Sequence, residues 1–257
     1  MSLRALPVLL LLSLTIVGGE NLVRNGSLNK GRDGQPAHWS PLDGLTAKWV
    51  EADQGHCLQF DTSVQQKDKK LLKETGKAPA TRSQGNQYAT VGAHEGCWAF
   101  CWPIDLSPDD RYFVLEVDVR GPKGEALVLL RGFQKITAEM AGQNESFFQV
   151  PHPGGSAYSE QFGPDDQRRT SREGDYLMVH RDTLHCRLDG SGKWQHFTRG
   201  IDLHRNPAYA KIQRLWLKPY AYWPLGIYEF DNLKLRRATA EEVEALGVKR
   251  KKPTSVK

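Results

Sequence analysis

Three short runs near the end of the chain, between Trp194 and Arg236, constrain the fold most. In the middle run Leu215 and Leu217 point to one side and Trp216 points to the other, because side chains alternate along a β-strand. A strand with one apolar side is typical of an antiparallel sheet that buries one of its faces. Turn residues separate the three runs. We therefore expect neighbouring antiparallel strands here.

The same pattern occurs earlier in the chain. Residues 112–120 place Phe113, Leu115, Val117 and Val119 on one side and polar side chains on the other. A G-P-K-G turn then leads to another strand candidate at 125–133, and residues 46–60 have strand chemistry as well. No Gly-rich phosphate loop, G-x-S-x-G or C-x-x-C motif is present in the sequence.

Residues 1–19 have the features of a signal peptide. Arg4 supplies a positive charge ahead of the apolar run 5–17, and V-G-G fits cleavage before Glu20. The run is too short to span a bilayer, and we expect no transmembrane segment later in the chain. The sequence therefore predicts a secreted, periplasmic or cell-surface protein. A retained N-terminal anchor is the alternative.

The net charge of +5 is spread over the chain. The tail from residue 238 contributes +2 and Arg4 contributes +1, so the body, residues 20–237, carries only +2 and is nearly balanced. A balanced body has no electrostatic footprint for nucleic acid, which we do not expect as a partner. The body is long enough for one β-sandwich with a core. Residues 238–257 are predicted to form a short helix, capped by Thr239 with Glu242, and a basic tail.

Both ends of the body resemble a known family. The chain opens with N-L-V-R-N-G-S-L-N-K-G at 21–31, followed by D-G-Q-P-A-H-W, and closes with G-I-Y-E-F-D-N-L-K-L. Together with the run 97–121, these motifs resemble the cellulose- and xylan-binding modules of carbohydrate-binding families four, nine and twenty-two. The resemblance implies an all-β, galactose-binding-like jelly roll of two antiparallel sheets. In it, the strand at 22–28 should lie near the strand at 227–235.

Two long polar stretches depart from that pattern. Residues 61–87 are lysine-rich and predict a long loop, and residues 134–192 predict a loop-rich insertion with one strand candidate at Tyr176–Leu188.

The four cysteines leave two alternatives open. The even number of cysteines in an exported protein permits two disulfides. A cross-strand bond from Cys57 to either Cys97 or Cys101 fits the predicted strand faces. A bond from Cys97 to Cys101 fits them less well. Four free thiols are the alternative, since the core is large enough without crosslinks.

Aromatic side chains are the first candidate site, because sugar rings stack their C–H faces on tryptophan and tyrosine. Trp216 faces away from two leucines, and Tyr222 and Trp223 lie in a loop-like P-Y-A-Y-W-P, so these three are the predicted binding residues. Family alignment puts Phe100 and Trp102 at inward positions, and Trp98 shares their parity, so we expect both tryptophans in the core. Trp39 and Trp194 match framework positions of the family and are expected in the core as well.

Carboxylates are the second candidate. Glu116 and Asp118 project from one strand face about 7 Å apart, next to Arg120. That spacing suits polar sugar recognition or glycosidic acid–base chemistry. A solvated face with cross-strand salt bridges is the alternative.

A structural calcium ion is implied by the resemblance. Related modules hold Ca²⁺ between their first and last strands with oxygen ligands. Asp231 matches the acidic residue near the end of the family pattern, and Asn29 stands where the family has glutamate. The four histidines at 180, 185, 196 and 204 are predicted to lie in loops or on the surface.

These patterns lead to one reading of the function. We expect an exported, non-catalytic protein that binds a polysaccharide or another glycan. If their strands share a sheet, Trp216 would form a stacking platform beside Glu116, Asp118 and Arg120. The alternatives are a glycoside-active enzyme that uses the surface carboxylates, and a structural or adhesive surface protein without sugar binding.

Overall fold

The computed structural model describes residues 19–135, 147–151, 157–161, 176–205 and 207–247. The predicted signal peptide, up to residue 18, and the basic tail from residue 248 lie outside the described residues. Within them, antiparallel strands form two five-stranded sheets and two short hairpins.

The bounds of the strands and helices are as follows. The described strands are β1 (Gly31–Arg32), β2 (Gln35–Pro36), β3 (Ala47–Ala52), β4 (Gly55–Asp61), β5 (Cys97–Trp98), β6 (Ile104–Asp105), β7 (Tyr112–Arg120), β8 (Gly124–Lys135), β9 (Phe147–Pro151), β10 (Ala157–Gln161), β11 (Tyr176–Leu188), β12 (Gln195–Asp202), β13 (Arg214–Ala221) and β14 (Ile227–Arg237). The described α-helices are α1 (Gln66–Thr75), α2 (Val91–His94) and α3 (Ala240–Ala245), and 3₁₀ turns lie at Gln87–Ala89 and Pro207–Lys211.

Sheet I has the strand order β12-β7-β14-β4-β3. Along β7 the side chains alternate as the sequence predicts: Phe113 and Leu115 are fully buried, whereas Glu116 and Asp118 lie on the outer face. A β-bulge interrupts the pairing of β14 with β7 between Asp231 and Lys234.

Sheet II has the order β11-β8-β13-β5, with β6 also paired to β13. Leu215 and Leu217 of β13 are fully buried and face inward. Trp216 pairs with Arg131 of β8 in the register of the two strands, and both side chains point outward.

The two sheets pack face to face. Phe60 and Phe230 of sheet I, whose ring centroids are 5.2 Å apart, join Leu130 and Leu217 of sheet II in one buried apolar cluster. The chain crosses between the sheets at most connections, for example after β4, β7, β11 and β13. The fold is a jelly-roll β-sandwich, which confirms the predicted fold class.

The two terminal motifs are in contact, as the resemblance implies. The N–H of Leu22 donates to the carbonyl of Leu235 at 2.8 Å, and that of Leu233 donates to the carbonyl of Gly26 at 2.9 Å. Residues 22–28 are not a strand, however, so this part of the prediction is wrong. They form turns, with positive φ at Asn25 and Leu28, and the side chain of Leu28 is fully buried.

Both predicted interruptions contain regular structure. The polar stretch 61–87 was predicted to be a loop and instead contains the ten-residue helix α1, which Gly76 ends with a left-handed φ of 70°. Within the predicted insertion, β11 pairs with β8 from Tyr176 to Leu188 and is an integral strand of sheet II. The strand predicted at those residues is therefore confirmed.

The capping prediction for the C-terminal helix is confirmed. The hydroxyl of Thr239 accepts the N–H of Glu242 at 3.2 Å and starts α3. The helix lies over the outer face of sheet I, where Val243 is buried and Gly200 leaves room for the helix backbone.

The predicted disulfide is wrong. All four cysteines lie in described strands or next to them, and all are buried and unbonded. Cys57 belongs to sheet I, whereas Cys97 and Cys101 lie beside β13 of sheet II. Burial raises the pKa of each thiol to about 12.

Candidate functional site

An extended segment at 97–102 carries alternating aromatic side chains along one edge of sheet II. The N–H of Cys101 donates to the carbonyl of Leu217 at 3.1 Å, so the segment runs alongside β13. Its small side chains, Cys97, Ala99 and Cys101, are buried against the core. The large aromatic ones therefore point outward: Trp98 is 38% exposed and Trp102 is 49% exposed.

This orientation overturns the core prediction for two tryptophans. Trp98 and Trp102 were expected inside, and both lie on the surface. Family alignment failed because the segment C-W-A-F-C-W is apolar on both sides, so hydrophobicity does not define its inner face. The prediction for Trp39 is confirmed, since it is buried, but Trp194 is only half-buried beneath Arg120.

Aromatic rings continue from that edge across the outer face of sheet II. The rings of Trp98 and Phe100 have centroids 5.0 Å apart, and those of Phe100 and Trp216 are 5.6 Å apart. Both pairs are T-shaped, a favourable geometry for aromatic contacts. Trp216 further contacts Phe133 of β8, which lies on the same outer face.

Lys218 connects this group to two tyrosines. Its ammonium lies 4.3 Å from the ring centroid of Trp98 and 5.4 Å from that of Tyr220, a cation–π geometry. Tyr220 stacks on Tyr222 with centroids 5.7 Å apart, and burial raises the pKa of Tyr220. We call this surface the aromatic face; it comprises Trp98, Phe100, Trp102, Trp216, Lys218, Tyr220 and Tyr222.

The predicted polar residues lie on the opposite side of the sandwich. Glu116, Asp118 and Arg120 project from the outer face of sheet I, whereas Trp216 projects from that of sheet II. The prediction of one composite site is therefore wrong, because its condition, that the strands share a sheet, is not met.

Each of these three residues is engaged in its own sheet. Glu116 lies 3.5 Å from both Lys234 and Arg236. Asp118 accepts hydrogen bonds at 2.8 Å from His196 Nδ1 and from the side-chain amide of Asn232, and Arg120 pairs with Glu229 and Asp53. This is the salt-bridged surface that the sequence offered as the alternative.

Both predicted calcium ligands accept hydrogen bonds from backbone N–H groups. Asn29 Oδ1 accepts the N–H of His56 at 3.1 Å, and Asp231 Oδ1 accepts the N–H of Asn232 at 2.7 Å. Burial, with a smaller contribution from Asp118, raises the pKa of Asp231 to about 6. Calcium needs six to eight oxygen ligands, and among described residues no group of three or more His, Cys, Asp or Glu side chains is placed to hold a metal.

These hydrogen bonds use the oxygen of Asn29 and one oxygen of Asp231, and calcium binding there stays a prediction. A rise in melting temperature on adding calcium chloride, lost in Asp231→Asn, would support it. No rise would contradict it.

Trp223 follows Tyr222 of the aromatic face in the chain, and its ring contacts a different part of the structure. It follows β13 in a surface loop and is 38% exposed. Its ring is nearly parallel to that of Tyr88, with an interplanar angle of 4° and centroids 6.3 Å apart. Tyr88 is not among the predicted site residues, although a tyrosine in a Gly-, Asn- and Gln-rich stretch is a signal for an exposed ring.

The surface prediction for histidine is wrong for His180. It faces the interior of the sandwich on β11, is 2% exposed, and contacts the ring of Tyr209 edge-on at 4.3 Å. The other three, His185, His196 and His204, are exposed as predicted.

The chain is similar to carbohydrate-binding modules of known structure. A family 16 carbohydrate-binding module aligns with a TM-score of 0.43 and 10% identity, covering 84% of this chain and 99% of that one. TmCBM61, solved in complex with β-1,4-galactotriose, gives a TM-score of 0.41 and 10% identity over 85% of this chain and 99% of that one. For the CBM22-1 xylan-binding domain of Paenibacillus barcinonensis Xyn10C the values are 0.38 and 12%, over 86% and 97%.

Modules of families 4 and 22, which the terminal motifs resemble, are among the similar structures. No protein-family model and no curated protein matches the sequence. In the part of the chain that the structure describes, no helix is long and apolar enough to cross a membrane.

Proposed function

We propose that the protein binds a glycan on the aromatic face without cleaving it. The observation that carries this proposal is the outward projection of Trp98 and Trp102 from one extended segment, each with more than a third of its surface exposed. Soluble proteins rarely leave several large apolar rings together on the surface unless the patch binds something.

The geometry of the aromatic face suits a sugar chain. Trp98 and Trp102 are four residues apart on an extended backbone, which corresponds to about 13 Å. Two exposed rings at that separation, with Phe100 between them, offer more than one stacking surface to a linear ligand. The ammonium of Lys218 and the phenol side chains of Tyr220 and Tyr222 continue this surface and supply polar groups for sugar hydroxyls.

Binding without cleavage is supported by the state of the carboxylates. A paired-carboxylate glycosidase needs two acids facing the same scissile bond. Glu116 and Asp118 point away from the aromatic face, and each is tied to basic or amide side chains of sheet I. They therefore favour a structural role over the enzyme alternative.

The test is a binding titration of the full chain. The probes are xylan, β-1,4-galactan and a soluble cellulose derivative, measured by calorimetry and by affinity electrophoresis. We expect binding to at least one probe, with no release of reducing ends. Trp98→Ala should weaken that binding by about 5- to 150-fold, the equivalent of ~1–3 kcal/mol of lost stacking by analogy with nucleobases.

Trp194→Ala is the matched control, because this tryptophan lies on the outer face of the other sheet under Arg120. It should leave the affinity unchanged. Absence of binding to every probe would contradict the proposal, and an equal loss in both variants would move the site away from the aromatic face. Release of reducing ends would favour the enzyme.

We also propose that the protein is exported and cleaved before Glu20. The support is the charged, apolar and small-residue order of its first 19 residues. Sequencing of the N-terminus of secreted material should begin at or near Glu20. An intact Met1 on that material would contradict cleavage.

A further inference from the structure

A cavity of about 490 Å³ opens at the end of the sandwich, beside Trp223. Its lining comes from the segment between β4 and β5 and consists of Gln65, Gln66, Lys67, Gly85, Asn86, Tyr88, Ala89 and His94. The volume lies in the range of small-ligand sites in proteins. None of the predicted site residues belongs to this lining, although Trp223 stacks on one member of it, Tyr88.

Tyr88 is 65% exposed, yet its backbone is held by several hydrogen bonds. Its N–H donates to Asn86 Oδ1 at 2.9 Å, and its carbonyl accepts from His94 Nε2 at 2.7 Å. Thr90 donates from its hydroxyl to the carbonyl of Gln87 at 2.7 Å. The turn that carries the ring is therefore ordered, while the ring itself is left open to solvent.

The floor of the cavity is similarly ordered. Gln65 is 6% exposed, and its side-chain amide donates to the carbonyl of Asn86 at 3.4 Å. A Cβ at Gly85 would overlap the carboxamide oxygen of Gln65, so glycine at this position allows that oxygen to approach the turn. A site built in this way loses little conformational entropy when a ligand binds.

We propose that this cavity is a second saccharide subsite, in which one unit of the glycan contacts the Tyr88 ring. The inference rests on the proposed function, because it places a further unit of the same glycan. Trp223, whose ring is parallel to that of Tyr88, directly follows Tyr222 of the aromatic face in the chain. The two subsites are therefore neighbours at residues 222 and 223.

The lining carries polar side chains that suit the hydroxyls of a sugar unit, together with the ammonium of Lys67. The carboxamide of Gln66 offers both donors and acceptors, and the side-chain amide of Asn86 offers donors, since its oxygen already accepts the N–H of Tyr88. A sugar hydroxyl also donates and accepts, so these groups can bond it. The exposed face of Tyr88 supplies the apolar contact for the C–H side of the same ring.

The experiment measures the affinity of the full chain for oligosaccharides of β-1,4-linked xylose, galactose and glucose, from disaccharide to hexasaccharide. Tyr88→Ala should weaken binding of the hexasaccharide by about 5- to 150-fold, the equivalent of ~1–3 kcal/mol of stacking. Tyr88→Phe keeps the ring and should remain close to wild type. Leu71→Ala is the control, because Leu71 is an exposed apolar residue of α1 outside the lining.

The outcomes separate the two claims. If Trp98→Ala weakens binding and Tyr88→Ala does not, the second subsite is overturned and the proposed function stands. If Tyr88→Ala weakens binding and Trp98→Ala does not, the cavity binds the glycan alone and the aromatic face is the wrong site. If the wild-type chain binds none of the oligosaccharides, both are overturned. Melting temperatures identify any variant whose loss of binding comes from unfolding.

Discussion

Trp216 packs its ring against Phe133 on the outer face of sheet II, with centroids 5.0 Å apart and planes inclined by 47°. Phe100 contacts it from the other side at 5.6 Å. Trp216 is half-buried, and its indole N–H is buried without a hydrogen-bond partner among the described residues. These contacts make Trp216 the centre of an outer packing layer that supports the more exposed Trp98.

Trp216→Ala should therefore lower the stability of the fold. Emptying a fully buried tryptophan site costs ~3–5 kcal/mol, and a half-buried one should cost about 2–3 kcal/mol. Trp216→Phe keeps an aromatic ring there and removes the unsatisfied N–H, so it should be close to neutral. Chemical denaturation checks both variants. Unchanged stability with lost glycan affinity in Trp216→Ala would instead make this ring a direct binding residue.

Neutralising the carboxylates on sheet I should leave glycan affinity unchanged. Glu116→Gln and Asp118→Asn alter the face opposite the proposed site. Stability should fall by only ~0.2–1 kcal/mol for Glu116→Gln, because Lys234 is partly exposed and the buried Arg236 keeps Glu242 as a partner. Calorimetric titration of the double variant is the measurement. Weaker binding would return these residues to the site and revive the composite platform.

His180 should make stability depend on pH. Burial, and with it the positive charges of Arg205, Arg131 and Arg199, lowers its pKa from 6.5 to about 4, while Asp182 opposes the shift. Between these values the unfolded chain takes up a proton that the folded chain does not. This stability is thus fully present above pH 6.5 and is lost as the pH falls towards 4, by about 3 kcal/mol.

His180→Phe keeps the edge-on contact with Tyr209 and removes the titration. The free energy of unfolding of this variant should change less with pH between 6.5 and 4 than that of wild type, as measured by denaturant titration at each pH. His185→Phe, on the outer side of the same strand, should keep the wild-type slope. Equal slopes in wild type and His180→Phe would show that the ring does not remain neutral in the fold.

Gly26→Ala should weaken the junction of the two chain ends. A Cβ there would overlap the carbonyl oxygen of Leu233 and come within 2.7 Å of Asn21 Nδ2. Overpacking of this kind costs ~1–3 kcal/mol. Asn21→Ala tests the same junction independently, because its side chain bonds the backbone of Leu233 and Leu235. A melting temperature that does not change in either variant would contradict this role.

The sequence by itself determined the strands and their faces wherever one side is apolar and the other polar. Phe113 and Leu115 alternate with Glu116 and Asp118, and burial in the sandwich follows that alternation. The contact between the chain ends was also predictable, because motifs 21–31 and 226–235 resemble the two ends of a known family of modules, although residues 22–28 form turns and not the expected strand. Thr239 and Glu242 likewise specified the start of α3 locally.

Tertiary structure decided everything that depends on which strands become neighbours. Trp216 and Asp118 lie on strands that both alternate inward apolar and outward side chains. Only the strand order of the two sheets places them on opposite sides of the sandwich. In C-W-A-F-C-W both faces are apolar, so side-chain size decided which face turned inward. The small side chains, Cys97, Ala99 and Cys101, pack against the core beside β13. The large rings of Trp98 and Trp102 therefore lie on the surface. The cavity at Tyr88 joins residues of α1, α2 and the turn between them, an arrangement set by long-range packing, which side-chain periodicity does not encode.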